Sequence, residues 1–172
     1  MIATTLLVLG GARSGKSRYA EARILASPGE PVYIATAQAF DDEMAERIAR
    51  HREDRGAGWR TIEAPLDLPE AIAAESGTGS AVLVDCLTLW ATNLLMAEVD
   101  VDAATDRLLL ALRSHAGPLA IVSNEIGLGI VPDNALSRRF RDVAGRLNQA
   151  VASAVDEVQF IAAGLPLRLK PA

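Results

Sequence analysis

Short apolar runs alternate along the chain with longer stretches in which apolar residues recur every three or four positions. The short runs are rich in Val, Ile or Leu and lack polar alternation, which is typical of strands that are buried on both faces of a sheet. These predicted strands cover residues 5–9, 32–35, 81–85, 119–123 and 158–162.

Helical periodicity fills the intervals between the predicted strands. The predicted helices cover residues 16–26, 41–55, 66–74, 88–97, 101–114 and 136–155. This alternation predicts an α/β fold, with a mostly parallel, doubly wound sheet, helices on both faces and ligands at the carboxyl ends of the strands. The Gly/Ser-rich residues 75–80 are predicted to form a loop. The C-terminal sequence PLRLKP predicts an edge strand, because proline cannot donate a hydrogen bond to a central ladder.

Length and composition narrow the classes of protein to consider. A chain of 172 residues is long enough for one α/β domain and short for two, so we expect residues 1–172 to form a single domain.

The formal net charge of −5 argues against nucleic acid or anionic membranes as general partners. The apolar run 81–99 is interrupted by Asp85, Asn93 and Glu98, so no stable membrane insertion is expected. The single cysteine, Cys86, cannot form an internal disulfide, and a cytoplasmic location is predicted.

The sequence GGARSGKS, between the first predicted strand and the first predicted helix, fits the phosphate-binding pattern G-x-x-x-x-G-K-[ST]. Its members are Gly10, Gly11, Ala12, Arg13, Ser14, Gly15, Lys16 and Ser17. The glycines let backbone N–H groups turn toward an anion at a helix N-terminus, while Lys16 can reach the β- and γ-phosphates and the Ser17 hydroxyl can ligate Mg²⁺. The alternative is a glycine-rich turn with a solvated lysine. The strand–loop–helix context favours a nucleoside triphosphate as ligand.

A carboxylate at the end of a neighbouring buried strand would complete such a magnesium site. The sequence AVLVDC supplies Asp85 at that place, and P-loop enzymes use a carboxylate there on the metal. Capping of the next helix is the alternative role for Asp85. Cys86 is expected to be a small packed residue rather than a nucleophile, because no histidine is near it in sequence.

The predicted helix 41–55 carries His51 three residues after Ile48 and seven after Met44. This spacing places His51 on the apolar stripe of the helix, where a lone histidine is ordinarily part of a core or an interface. Arginines flank it on both sides, which favours a phosphate-handling site instead. They are Arg47, Arg50, Arg52 and Arg55.

Four segments together resemble the bifunctional adenosylcobinamide kinase / adenosylcobinamide-phosphate guanylyltransferases of cobalamin biosynthesis. They are GGARSGKSRYAE, ATAQAFDDEMAERIARHREDRGAGWRTIEAP, LVDCLTLWATNLL and SNEIGLGIVPDNALSRRFRDVAGRLNQAVA. They run in the family's order from the P-loop nearly to the C-terminus. The patterns DDEM…RI…H…R…W and NE-x-G-x-GIVP are far more specific than the P-loop.

The resemblance implies a RecA-like P-loop NTPase fold, a homotrimer and two activities that use ATP, GTP and Mg²⁺. The first is phosphorylation of the aminopropanol hydroxyl of adenosylcobinamide with ATP or GTP. The second is transfer of GMP from GTP to adenosylcobinamide phosphate, which gives adenosylcobinamide-GDP and pyrophosphate through a guanylylated His51. Besides residues 10–17, the resemblance assigns GTP binding to Ala35, Thr36, Ala37, Arg52, Glu53, Asp54, Arg55, Glu63 and Asp85.

Some roles remain open from the sequence. Without the resemblance, Glu63 would be interpreted as a surface carboxylate at a strand end. Residues 124–132 are expected to contact substrate or another subunit, and no catalytic role is assigned to them. Two other functions also stay open: a simple P-loop small-molecule kinase in which His51 is structural, and a non-catalytic nucleotide-binding subunit.

Overall fold

The computed structural model describes residues 5–38, 45–46 and 58–171, and in these residues seven strands form one sheet. In chain order the strands are β1 (Thr5–Gly10), β2 (Glu30–Ala35), β3 (Arg60–Glu63), β4 (Ser80–Asp85), β5 (Leu119–Asn124), β6 (Glu157–Ala162) and β7 (Leu165–Lys170). Their order across the sheet is β3-β2-β4-β5-β1-β6-β7. All neighbouring strands run parallel except β6 and β7, which are antiparallel.

Helices cover both faces of this sheet, as the sequence predicted. The described helices are α1 (Lys16–Leu25), α2 (Leu68–Glu75), α3 (Leu87–Met96), α4 (Val101–Ser114) and α5 (Ala135–Ala154). On one face, alternate strand residues such as Leu7 and Ile121 pack in one apolar cluster with residues of α2, α3, α4 and α5. On the other face, Leu6 and Val122 belong to a second cluster that includes Ala20 and Ile24 of α1.

The central strands β1, β4 and β5 are buried along almost their whole length, which is why their sequences show no polar alternation. Residues 166–170 of the sequence PLRLKP lie in β7 at the edge of the sheet, which confirms the predicted edge strand. Of the predicted helix 41–55, the structure describes Ala45 and Glu46, which are helical; the rest lies outside the described residues. Within the described ranges, no helix is both long and apolar enough to cross a membrane.

The predicted loop 75–80 is wrong at both ends, because α2 extends to Glu75 and β4 begins at Ser80. Both ends are held by an ion pair in which Glu75 is buried and Arg60 is exposed. The guanidinium of Arg60 on β3 donates to both carboxylate oxygens of Glu75, at 3.0 and 2.7 Å, and the Ser80 hydroxyl donates to Glu75 Oε2 at 2.8 Å. The contact lowers the pKa of Glu75 and ties α2 to two strands.

A second bidentate pair joins α1 to β6. Arg23 donates from Nη1 and Nη2 to the two carboxylate oxygens of Glu157, at 2.9 and 2.7 Å. Gln159 donates to the same carboxylate at 2.7 Å. The Glu157 side chain is only 6% exposed, and its hydrogen bonds with Arg23 lower its pKa from 4.5 to about 2.

We expect Glu157→Gln to lower the free energy of unfolding at pH 7 by about 2 kcal/mol, the usual scale for a hydrogen bond to a charged group. Because the folded-state pKa of Glu157 is depressed, this stabilisation is fully present above pH 4.5 and is lost as the pH falls toward about 2. Urea unfolding of wild type and variant at several pH values measures the difference. The exposed Glu70, paired with Arg107 at 3.7 Å, supplies the control: Glu70→Gln should change stability little at any pH. An equal effect of both variants would contradict the assignment.

Candidate active site

The loop between β1 and α1 has the backbone of an anion cradle. The strand ends at Gly10 and the helix begins at Lys16. Gly15 caps the helix with a left-handed φ of 92°, no side chain caps the helix, and its first turn contains no acidic residue. The N–H groups of this helix terminus are therefore available to an anion, which the helix dipole also favours.

Two glycines of this loop are required by close backbone contacts. A Cβ on Gly10 would lie 2.5 Å from Ser14 Oγ and 2.7 Å from the carbonyl oxygen of Ile161. A Cβ on Gly15 would lie 3.3 Å from the Cα of Gly164, whose N–H donates to the Ser14 carbonyl at 2.8 Å. The turn between β6 and β7 thus supports the loop from the side, a contact that the sequence analysis missed.

Two hydrogen bonds within the loop converge on the Gly11 carbonyl. Lys16 Nζ donates to the Gly11 carbonyl at 3.0 Å, and the Ser14 N–H reaches the same carbonyl at 3.3 Å. The Ser14 hydroxyl is buried and has no hydrogen-bond partner among the described residues. A buried hydroxyl without a partner is costly, so this part of the loop fits a ligand that brings acceptor oxygens, such as a phosphate.

Asp85 ends β4 at the same edge of the sheet. Register places Ala35 at the end of β2 beside both Asp85 and Glu63. The Tyr33 hydroxyl donates to Asp85 Oδ2 at 3.1 Å, and the rings of Tyr33 and Trp59 form a T-shaped pair with centroids 6.2 Å apart. Tyr33 was not among the predicted site residues, although it lies two residues before Ala35 and therefore on the same side of the strand.

The donor set at this edge fits Mg²⁺ held jointly with phosphate. Asp85 and Ser17 are both half-buried, and the described residues contain no group of three His, Cys, Asp or Glu side chains that could enclose a metal ion. Mg²⁺ is typically bound through one or two protein ligands together with substrate phosphates and waters. The Ser17 hydroxyl at the cradle and the Asp85 carboxylate, two strands away on the same edge, are ligands of that kind.

Thr36, predicted to bind nucleotide, is buried and uses both of its donors within the protein. Its hydroxyl donates to the Cys86 carbonyl at 2.7 Å and accepts from the Cys86 N–H at 2.8 Å, and its own N–H donates to the Asp85 carbonyl at 3.2 Å. Asn93 Nδ2 donates to the Thr36 carbonyl at 2.7 Å. Thr36 therefore fixes the strand end that carries Asp85. Its hydroxyl and its N–H already donate to protein carbonyls, so Thr36 has no further donor for a ligand.

Cys86 is a packed residue, as the sequence predicted. It is 5% exposed, and burial, followed by the charge of Asp85, raises the pKa of its thiol to about 11. A thiol with this pKa is a poor nucleophile at neutral pH.

The structure thus brings together the P-loop residues 10–17, Ala35, Thr36, Ala37 and Asp85 at the carboxyl edge, with Glu63 farther along it at the end of β3. The remaining predicted site residues lie outside the described residues. They are His51, Arg52, Glu53, Asp54 and Arg55.

Sequence comparison gives near full-length matches. Residues 6–169 match the family described as cobinamide kinase / cobinamide phosphate guanyltransferase. The chain is 53% identical over 167 residues to the bifunctional adenosylcobalamin biosynthesis protein CobP of Pseudomonas aeruginosa, covering 95% of this chain and 96% of that protein. It is 43% identical over 180 residues to the corresponding protein CobU of Salmonella typhimurium, covering 96% of this chain and 99% of that protein.

Solved structures with the same fold include two ATPases of bacterial type III secretion systems. A prototypical ATPase of this kind superposes with a TM-score of 0.56 at 12% identity, covering 97% of this chain and 57% of that chain. EscN of enteropathogenic Escherichia coli gives a TM-score of 0.58 at 10% identity, covering 94% of this chain and 43% of that chain. This chain thus spans only about half of each ATPase, and the likeness concerns the fold alone. It confirms the predicted α/β fold with a mostly parallel sheet and helices on both faces.

The contacts around the first two glycines of the P-loop predict opposite outcomes for the same substitution. Gly10→Ala forces a Cβ against a backbone carbonyl, so we expect a loss of about 1–3 kcal/mol in the free energy of unfolding. Gly11→Ala has no atom within 4 Å of the added Cβ and should stay within about 0.5 kcal/mol of wild type. Denaturant unfolding without nucleotide measures both. Equal stabilities of the two variants would show that the close approach at Gly10 is not real.

Proposed function

Because the chain belongs to the cobinamide kinase / cobinamide phosphate guanyltransferase family, we propose that it carries out both reactions on adenosylcobinamide at a single nucleotide site. It phosphorylates the substrate hydroxyl with ATP or GTP, then transfers GMP from GTP to adenosylcobinamide phosphate and releases pyrophosphate. The observation that carries the proposal is the cradle formed by residues 10–17, which provides an uncapped helix terminus and Lys16 at the carboxyl edge of the sheet.

In the kinase step, the chain's task is to align the triphosphate and neutralise its charge. The N–H groups at the start of α1 contact the phosphates, and Lys16 exchanges its contact with the Gly11 carbonyl for phosphate oxygens. Ser17 and Asp85 would hold Mg²⁺, which would neutralise charge on the β- and γ-phosphates. Tyr33, by donating to Asp85, orients that carboxylate for the task.

In the guanylyl transfer step, we propose that His51 carries GMP. A histidine with an ordinary pKa of about 6.5 is largely neutral at physiological pH, so its imidazole can attack the α-phosphorus of GTP without a further base. The bond to pyrophosphate breaks, and the phosphate of adenosylcobinamide phosphate then displaces the histidine. This role rests on the sequence pattern around His51 and on family membership. The simple kinase without a covalent intermediate is the alternative.

The remaining nucleotide contacts of the proposal extend along the edge of the sheet. We propose that Ala35, Ala37 and Glu63, at the ends of β2 and β3, contact the nucleoside of GTP. Arg52 and Arg55, with Glu53 and Asp54 between them, follow the nucleotidyl carrier in sequence, so the arginines would neutralise departing pyrophosphate. The homotrimer and the cytoplasmic location stay predictions from family resemblance and from composition, respectively.

Lys16→Ala should suppress both activities, because one triphosphate cradle serves both reactions. The expected loss in each kcat is on the order of a thousandfold, typical for removal of a group that stabilises transferring phosphate. Arg18→Ala, an exposed position on the same helix, is the matched control and should leave both rates within about twofold, as expected for a surface change away from such features. Loss of only one activity in Lys16→Ala would indicate separate nucleotide sites.

His51→Ala should abolish guanylyl transfer and leave a substantial part of the kinase activity, because only the second reaction needs a covalent carrier. Wild type incubated with α-labelled GTP should retain label after denaturation at high pH and lose it in acid, whereas γ-label should not be retained. The chain has two histidines, so His115→Gln is the control and should still take up α-label. Uptake of α-label by His51→Ala would assign the carrier to another residue.

A further inference from the structure

We propose that Glu125 is the catalytic carboxylate of the kinase step: it orients the hydroxyl of the cobinamide substrate toward the γ-phosphate and accepts its proton. This inference rests on the kinase activity proposed above. It gives a chemical role to a residue of the segment that follows β5, for which the sequence analysis expected contacts but no catalysis.

The backbone places Glu125 directly beside the phosphate cradle. β5 pairs with β1 in parallel, with Asn124 opposite Gly10. The Glu125 N–H then donates to the Gly10 carbonyl at 3.0 Å. Glu125 is thus hydrogen-bonded to the first residue of the P-loop.

Among the acidic residues at or directly after the carboxyl ends of the described parallel strands, Glu125 is the one whose backbone lies nearest β1. Neighbouring strands lie about 4.8 Å apart. β5 is adjacent to β1, β4 is two strands away and β3 is four strands away. Asp85 therefore lies about 10 Å and Glu63 about 19 Å across the sheet from β1, whereas Glu125 is about one strand spacing away. β6, on the other side of β1, ends in Ala162 without a carboxylate.

The Glu125 side chain is held by its own loop. Its Oε1 accepts from the Gly127 N–H at 2.5 Å, and a Cβ on Gly127 would lie 2.8 Å from that oxygen. Arg141 of α5 donates to the Gly127 carbonyl at 2.6 Å. Glycine at position 127 therefore permits the approach of the carboxylate, and α5 fixes the loop that holds it.

A network of buried polar side chains fixes the strand end just before Glu125. The Asn124 N–H donates to Thr88 Oγ1 at 2.8 Å, and Asn148 Nδ2 donates to the Asn124 carbonyl at 3.1 Å. Asn148 also accepts from the buried Ser123 hydroxyl at 2.6 Å. Such satisfied networks rigidify their surroundings, so the position of Glu125 is set by α3 and α5 as well as by β1.

The proposed step is balanced within the donor nucleotide and the substrate. The hydroxyl oxygen forms a bond to the γ-phosphorus. The bond between that phosphorus and the β–γ bridging oxygen breaks, and its electron pair leaves with the nucleoside diphosphate. The hydroxyl proton passes to the Glu125 carboxylate and from there to solvent. Guanylyl transfer to an existing phosphate has no hydroxyl proton to remove, so that reaction does not use Glu125 as a base.

Glu125→Gln separates this role from a structural one, because the amide oxygen can still accept from the Gly127 N–H. We expect kinase kcat to fall at least about a hundredfold, as for loss of a general base, with the KM of adenosylcobinamide and of ATP changed less than about threefold. Guanylyl transfer to preformed adenosylcobinamide phosphate and the thermal midpoint should match wild type. Asp133→Asn removes the same charge from an exposed position of the same loop and should leave both rates unchanged.

Two results for Glu125→Gln would overturn the inference. Retained kinase kcat in Glu125→Gln would show that the carboxylate takes no proton. An equal fall of both activities would show that Glu125 only supports the cradle. A wild-type enzyme without kinase activity, but with guanylyl transfer, would instead contradict the proposed function, and the two failures are thus distinguishable. Gly127→Ala, which displaces the carboxylate without removing it, should lower kinase kcat selectively.

Discussion

The six parallel strands of the described residues can form one sheet only when both of its faces are covered, and the rest of the structure depends on that constraint. It requires strands that are apolar on both sides, as in β1, β4 and β5. It also requires a crossover between successive parallel strands, which helices provide on either face. Because the strands are parallel, every carboxyl end reaches the same edge, where loops replace the ladder and polar groups become available. The phosphate cradle, Asp85, Glu63 and Glu125 are all products of that single alignment.

Buried polar side chains fix the strand ends at the carboxyl edge of the sheet. Thr36 joins the end of β2 to Cys86 and is itself held by Asn93, while Thr88, Ser123 and Asn148 hold the end of β5. These side chains are buried and hydrogen-bonded, so they fix the backbone without adding charge to the site. Elsewhere in the sheet, bidentate ion pairs of Arg60 and Arg23 each connect a strand to a helix. The backbone that carries the functional side chains is therefore fixed by neighbouring helices and strands. Phosphoryl transfer requires such precise positioning.

The sequence was sufficient for the parts of the fold that follow from local pattern. Apolar runs identified the buried strands, and the P-loop pattern located Gly10, Gly15 and Lys16 because each has a local backbone or chemical reason. The sequence could not predict contacts between distant segments. Glu75 was predicted to lie in a polar loop, because its ion pair with Arg60, 15 residues away, is not visible in the sequence. The same holds for Gly164 against Ser14 and for Glu125 against Gly10. For Thr36, which the family resemblance assigns to nucleotide binding, the sequence shows no sign of its hydrogen bonds with Cys86 and Asn93, because these partners are 50 and 57 residues away.

The central claim is that one cradle at this edge serves both reactions. Equilibrium binding of ATP and GTP analogues that cannot be hydrolysed, measured by calorimetry on the same preparation, tests it most directly. A shared cradle predicts a single nucleotide bound per chain at saturation, with each analogue displacing the other completely. Two nucleotides per chain, or ATP analogue binding that saturating GTP analogue leaves unaffected, would contradict a shared site.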